Sequence, residues 1–324
     1  MLIQLSAPGR EHNRRSRYGM TLLELLISMV LIGLVGGLIV GFLLKQQRFY
    51  AGTNEILLTR TQVRQAAAML PSDLRAIASS GSDIYAMTDS SIEFRSTFGS
   101  SYLCKSDKGK SQIIIPPVTL AKKSMFTTWT QAPVVGDSVA LYVDSTSTAG
   151  RDDSWSVHAI TVVGIAFSDA SPGCLSSTGM MKSTDVSSLN PSYAYTISPV
   201  QSGTVNAGAA VRFFKRVHYS LYKATDGQWY LGFYDCRTGR VPVCSAIQPI
   251  AGPFRAYNGA QPERSGIRFA YYDSTGTVTT NKLAVSRISI VLQGEGAKDI
   301  QLAGGSPVTF RDSLRIEVGL RNWK

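Results

Sequence analysis

The chain has 324 residues, a mass of 35.1 kDa and a formal net charge of +11, with 44% hydrophobic and 17% charged residues. That balance excludes a disordered or low-complexity chain, and no dense Lys/Arg run after Gly19 offers nucleic acid a basic tail to grip. Outside one long apolar run about 280 residues remain, enough for one large domain or two small ones.

Residues 1–19 are polar and basic, with Arg10, Arg14, Arg15 and Arg17 against Glu11. A secretory signal needs a short apolar run followed by a small-residue cleavage site. Here the run from Met20 to Leu44 is too long and has no such site at its far end. Two options stay open, an uncleaved anchor or cleavage before the run. Gly19 favours cleavage, because a minimal side chain lets a protease approach the backbone. The run is long enough to span a bilayer as a helix, and the positive charges before it put the N-terminus inside and the bulk of the chain outside.

Glu24 is the single ionisable residue within the run. A carboxylate there costs about 2.5–3.5 kcal/mol at the span centre and less near the interface. It asks for a partner, or for headgroup-level water. Gly33, Gly37 and Gly41 recur every four residues with Gly36 beside them. This is a doubled G-x-x-x-G face that lets helices pack closely in lipid; the alternative is an ordinary glycine-containing anchor.

The basic leader, Gly19, the run Met20-Thr21-Leu22-Leu23 and Glu24 at the fifth place resemble the type III signal of type IV prepilins and of type II secretion pseudopilins. The resemblance implies that prepilin peptidase cuts after Gly19 and methylates the new amine of Met20. It also implies that Glu24 meets the Met20 amine of a neighbouring subunit during assembly.

From Lys45 onward the helix is expected to become amphipathic, with Phe49, Ile56, Val63, Met69 or Leu70, Leu74 and Ile77 close to a seven-residue rhythm. Pro71 predicts a kink or break at Leu70–Pro71, and Ser79-Ser80-Gly81 the stop. Asp73-Leu74-Arg75-Ala76 resembles the signature that closes the helix in PilW-type minor pilins and J-type pseudopilins.

After Gly81 the chain changes to short β-prone runs. Strands are expected at Ser91–Arg95, Gln112–Ile115, Asp137–Val143, Trp155–Phe167, Ala210–Tyr222, Trp229–Tyr234, Ile267–Tyr272, Val285–Leu292 and Leu314–Leu320. Alternation such as Arg287-Ile288-Ser289-Ile290 marks half-buried antiparallel strands, and Asp226-Gly227 marks a hairpin turn. Residues 168–193 and 201–209, rich in Ser, Gly, Asn and Pro, read as surface loops. The hairpin around Val217–Leu231 and the ending Leu320-Arg321-Asn322 are similar to PilW-type proteins, although Gly232 and Phe233 stand where those proteins carry an arginine.

Four cysteines follow the span, and an even count in an exported domain suggests disulfides, with three possible pairings. Cys236 and Cys244 flank a short Gly/Pro-containing loop and are candidates to close a hairpin, which leaves Cys104 with Cys174; four buried free thiols are the alternative.

Chemistry is sparse. His158 and His218, which remain after His12 is lost with the leader, have no second histidine at metal-ligand spacing. Gly136-Asp137-Ser138 fails the context of a nucleophile elbow, and Gly294-Glu295-Gly296 that of a dinucleotide loop. No cofactor is expected; calcium at Asp144 and Arg151-Asp152-Asp153-Ser154 is the minor exception.

The expected arrangement is therefore an α+β, pilin-like chain. It has a cleaved leader at 1–19, a transmembrane half-helix at 20–44, an amphipathic half at 45–81 and a β-rich exported domain at 82–324. The expected function is a non-enzymatic minor pilin in the inner membrane and then the pilus, with its domain in the periplasm. Its expected partners are other minor pilins, the major pilin, prepilin peptidase and the assembly platform. The alternatives are a J-type pseudopilin, and a tip-exposed subunit that binds a surface or DNA, the latter suggested by the net charge and loop 168–193.

Overall fold

A computed structural model describes residues 19–119, 125–143, 154–166, 181, 185–201, 205–236, 247–301 and 305–320. One helix, α1 (Leu22–Leu74), has 53 residues and is therefore about 80 Å long. It is followed by β1 (Ile84–Met87), β2 (Ser91–Tyr102), β3 (Lys105–Asp107), β4 (Gln112–Ile115), β5 (Thr128–Trp129), β6 (Ser138–Val143) and β7 (Ser154–Ala166). Then come β8 (Ser192–Ser198), β9 (Ala210–Lys223), β10 (Trp229–Asp235), β11 (Ile247–Phe254), β12 (Ile267–Tyr272), β13 (Arg287–Ile300) and β14 (Val308–Gly319). The fold is α+β: one long N-terminal helix on a large antiparallel sheet.

The sheet runs β12-β13-β11-β10-β9-β6-β7-β8-β4-β3, with β14 on β13, and with β1 and β5 on β2, which itself pairs with β9. β9 is long enough to serve two neighbours in succession. Its first part pairs with β6 from Val211 to Phe214, and its last part with β10 from Val217 to Lys223. The result is two lobes with separate cores. In one, Val63, Ala66, Leu70 and Leu74 of the helix meet Phe94, Val217, Ile290 and Val318 of the sheet. In the other, Ile113, Leu141, Ile160, Tyr195 and Phe213 pack without any helical residue.

The helix seat explains several local choices. Leu70 and Leu74 are fully buried, each contributing about 1.5–3 kcal/mol of apolar burial. Gly294 lies directly under the helix, where an added Cβ would meet Val63 Cγ2 at 2.5 Å and Thr59 Cγ2 at 2.9 Å. The Gly294-Glu295-Gly296 stretch is thus a helix seat on β13. Gln62 accepts the Gly252 N–H at 3.2 Å and Gln65 donates to the Ile250 carbonyl at 3.3 Å, tying the helix to β11.

The helix passes through Pro71 instead of breaking at Leu70–Pro71, because Pro71 falls in the last turn and is itself buried. It ends at Leu74, short of Ala78. The Arg75 N–H bonds the Pro71 carbonyl and the Asp83 carboxylate takes the Ala78 N–H at 2.8 Å, so the chain turns and delivers Ile77 to the core. Of the expected apolar face, Val63, Leu70, Leu74 and Ile77 are buried and Ile56 partly so, whereas Phe49 and Met69 are exposed. Gly52, Thr59, Ala66 and Pro71 take the remaining buried positions.

All nine expected strands exist, with β2 and β13 longer than their apolar runs suggest. Five more were not expected: β1, β3, β5, β8 and β11. β11 was hidden by Pro249, Gly252 and Pro253, and its ladder with β10 absorbs them through two register shifts. β8 lies at the end of the expected loop 168–193, so Tyr193 is a strand residue paired with Ile115 and Ile165. The Asp226-Gly227 turn forms as expected, with Gly227 at φ +83°. Gly232 leaves room for Tyr222 and Ile247, which an added Cβ would approach to 2.7 and 2.8 Å.

Gly294→Ala is expected to lower stability by about 1–3 kcal/mol through overpacking. Gly319→Ala, where an added Cβ meets nothing within 4 Å, serves as the control. Thermal melting of both variants in detergent checks this; equal melting points would contradict the close approach.

Candidate functional site at the N-terminal helix

Gly19 and Met20 are exposed and outside the helix. Thr21 is the N-cap, with extended φ −74° and ψ 151°, and its Oγ1 accepts the Glu24 N–H at 3.3 Å. The sequence Thr-Leu-Leu-Glu has the spacing of a capping box, so Glu24 has a local role at the helix start that is written in the sequence. Glu24 also sits in the first turn, where a carboxylate complements the positive end of the helix dipole. The Gly19–Met20 bond therefore precedes the helix, in exposed backbone of the kind proteases reach most readily.

Beyond Glu24 the apolar half of the helix lies exposed, away from the sheet, among the described residues. Leu22, Ile32 and Leu38 are each more than two-thirds exposed, and the helix is long and apolar enough to cross a membrane. A Cβ added at Gly33, Gly36, Gly37 or Gly41 meets nothing within 4 Å. Each glycine costs about 1 kcal/mol of helix propensity against alanine. Among the described residues no contact offsets that cost, which leaves the face open to a packing partner.

The other half of the helix is held by its acids. Glu55 accepts the N–H groups of Ala297 and Lys298 on β13. Asp73, of the helix-closing signature, accepts the buried Tyr219 hydroxyl at 2.7 Å. Burial and the neighbouring Asp73 charge hold the Tyr219 phenol well above its ordinary range. Just past the helix, Asp83 pairs with Arg95 at 3.2 Å, and Arg95 also donates to the Tyr85 hydroxyl at 2.9 Å. Burial raises the Asp83 carboxyl although Ala78 and Arg95 pull against it. Beside them, buried Glu93 bridges Arg216 and His218.

The remaining candidates serve the sheet. His158 is buried, with Nε2 2.7 Å from Ser156 Oγ and Nδ1 2.7 Å from the Pro199 carbonyl. Asp137 accepts the Val134 N–H at 2.9 Å and shapes the turn before β6. Cys104 and Cys236 are buried and disulfide-bonded, and no described cysteine is free. Cys174, Cys244, the acidic loop at 144 and 151–154 except Ser154, most of loop 168–193 and residues 202–204 of loop 201–209 lie outside the described residues.

His218 carries a pH consequence. Burial lowers its pKa below the ordinary value, against the raising effect of Glu93. The folded state thus prefers the neutral ring. That contribution is full above the unfolded histidine pKa of about 6.5 and is lost as pH falls through the lower folded value. His218→Gln is expected to show a smaller drop in melting temperature than the parent chain between about pH 7.5 and 5.5; an equal drop would contradict the assignment.

A family model described as the prokaryotic N-terminal methylation motif matches residues 14–40. No curated protein and no solved structure matches the chain. The motif implies processing by a prepilin peptidase, membrane anchoring through a single span and assembly with pilus components. Carried on a long apolar helix that packs on an antiparallel sheet, the motif supports a type IV pilin-like protein.

Proposed function

We propose that the protein is a minor pilin of PilW type, a structural subunit that helps to start or cap a type IV pilus. The observation that carries this reading is the division of α1. One half is locked into the sheet by Glu55, Asp73 and Gly294, while the other exposes its glycines and apolar side chains along its whole length. A plain anchor needs only the apolar length. A free glycine face on a helix braced by a domain suits packing among other helices. The polar groups of the sheet are engaged in holding strands and turns together, as at His158, Asp137 and Glu93. The subunit would wait in the inner membrane with its sheet in the periplasm, lose residues 1–19 and carry a methylated Met20. It would then enter the polymer beside other minor pilins and the major pilin, through the assembly platform, with Glu24 as its docking charge.

A J-type pseudopilin of type II secretion would use the same helix; the chain's length and loops favour the pilus. A binding role at the pilus tip draws support from the lobe of β3–β8, whose core contains no helical residue. That lobe can present loops without disturbing the seat. The disulfides that fit are Cys236–Cys244 and Cys104–Cys174. Cys236 directly follows β10, whose Tyr234 pairs with Ile247 of β11. Cys104 packs in one cluster with Ala166 and Met181, the described residues on either side of Cys174.

With active prepilin peptidase, the mature chain is expected to begin at methylated Met20 by intact mass. A chain that keeps residues 1–19 would overturn the reading. Glu24→Ala is expected to insert and be cleaved, yet to be missing from sheared pili; normal incorporation would remove the docking role. Peptide mapping without reductant should recover the two cysteine pairs named above.

A further inference from the structure

The half of α1 that lies on the sheet still has an outward side. Tyr50, Leu57, Arg60 and Arg64 follow one another at intervals of seven, three and four residues, which puts them on one stripe of an α-helix. All four are exposed, Tyr50 at 66% and Leu57 at 57%. Large apolar side chains with this spacing form one side of a helix–helix seam. The Arg60 guanidinium lies over the Phe310 ring, 5.5 Å from its centroid, so β14 holds that charge at the stripe.

The charge on this half of the helix is one-sided. Lys45, Arg48, Arg60, Arg64 and Arg75 are all exposed. Among the described residues none of them has a carboxylate partner. The two acids of the same half are both engaged inward, Glu55 with β13 amides and Asp73 with Tyr219. The helix keeps its anions for its own sheet and presents its cations.

We infer that the stripe Tyr50–Leu57–Arg60–Arg64 is the docking seam for the helix of a different pilin-like subunit. That helix would set apolar side chains against Tyr50 and Leu57, and carboxylates against Arg60 and Arg64. The inference rests on the assembly reading given above. A second copy of this chain does not fit. In register it opposes arginine to arginine, and at an offset the acids of its sheet-bound half are already engaged. Anionic lipid does not fit either: Arg60 and Arg64 lie 16 and 20 residues beyond Leu44, about 24 and 30 Å along the helix axis.

The test uses the full mature chain in uncharged detergent and two labelled synthetic helical peptides. The peptides share leucines at the two apolar positions and differ in carrying either two Glu or two Lys opposite the arginines. The Glu peptide is expected to bind by fluorescence anisotropy, and to weaken about ten-fold or more as salt rises from about 0.05 to 0.5 M. The double variant Arg60→Glu/Arg64→Glu, with helicity checked by circular dichroism, is expected to lose the Glu peptide by about ten-fold or more and to gain the Lys peptide. Equal binding of both peptides, binding of neither, or indifference to the double variant overturns the seam. Displacement of the Glu peptide by phosphatidylglycerol vesicles would assign the stripe to lipid instead. Sedimentation showing self-association that Leu57→Asp abolishes would assign it to a second copy. Cleavage after Gly19 is scored on the same preparation. A cleaved chain that ignores the Glu peptide overturns the seam alone, whereas an uncleaved chain removes the assembly reading beneath it.

Discussion

The approach of Thr59 and Val63 to Gly294 sets the position of everything that protrudes from this molecule. An α-helix of about 80 Å is a lever. Fixing one half of it on β13 fixes the direction in which Glu24 and the glycine face point. The hydrogen bonds that Gln62 accepts from β11 and Gln65 donates to it, with the Asp73–Tyr219 contact, hold the same rod at further points along its length. Because Leu70, Leu74 and Ile77 are fully buried, releasing the helix would open the core of the lobe it rests on. The apolar half is therefore the continuation of a helix whose other half is built into a core.

The same constraint sorts the charges. Carboxylates near the seat are drawn inward, where amides and a hydroxyl satisfy them: Glu55 on β13, Asp73 on Tyr219, Asp83 on the Ala78 amide and Arg95. Acids that accept several hydrogen bonds are tolerated at a buried junction, whereas lysine and arginine on long stems reach solvent. The basic outward face of the helix follows from that sorting, and with it the kind of neighbour the helix can accept.

The second lobe is a consequence of strand length. β2 and β9 run long enough to pass from the core that includes the helix into a core that does not. A sheet extended this way can vary its far loops while the seat keeps its geometry. Seating of the helix and variation of the far loops are then separable in one chain.

Much of this was legible in the sequence because it rests on local chemistry. The apolar run, Gly19, Glu24, the nine expected strands and the Asp226-Gly227 turn depend on composition, period-two alternation and turn residues within a few positions. Long-range contacts were not legible. Pro71 signals a break unless it is known to fall in a buried last turn. Gly294-Glu295-Gly296 looks like an idle glycine motif until a helix lies across it. β11 hides behind two prolines that only bulged pairing with β10 accommodates. The sequence by itself determined that the chain has a membrane-capable helix and a β-rich remainder, since hydrophobic length and alternation are read residue by residue. Only the tertiary structure decided which helix acids face inward, which cations have no carboxylate among the described residues and where the rod ends, because those depend on partners far away in the chain.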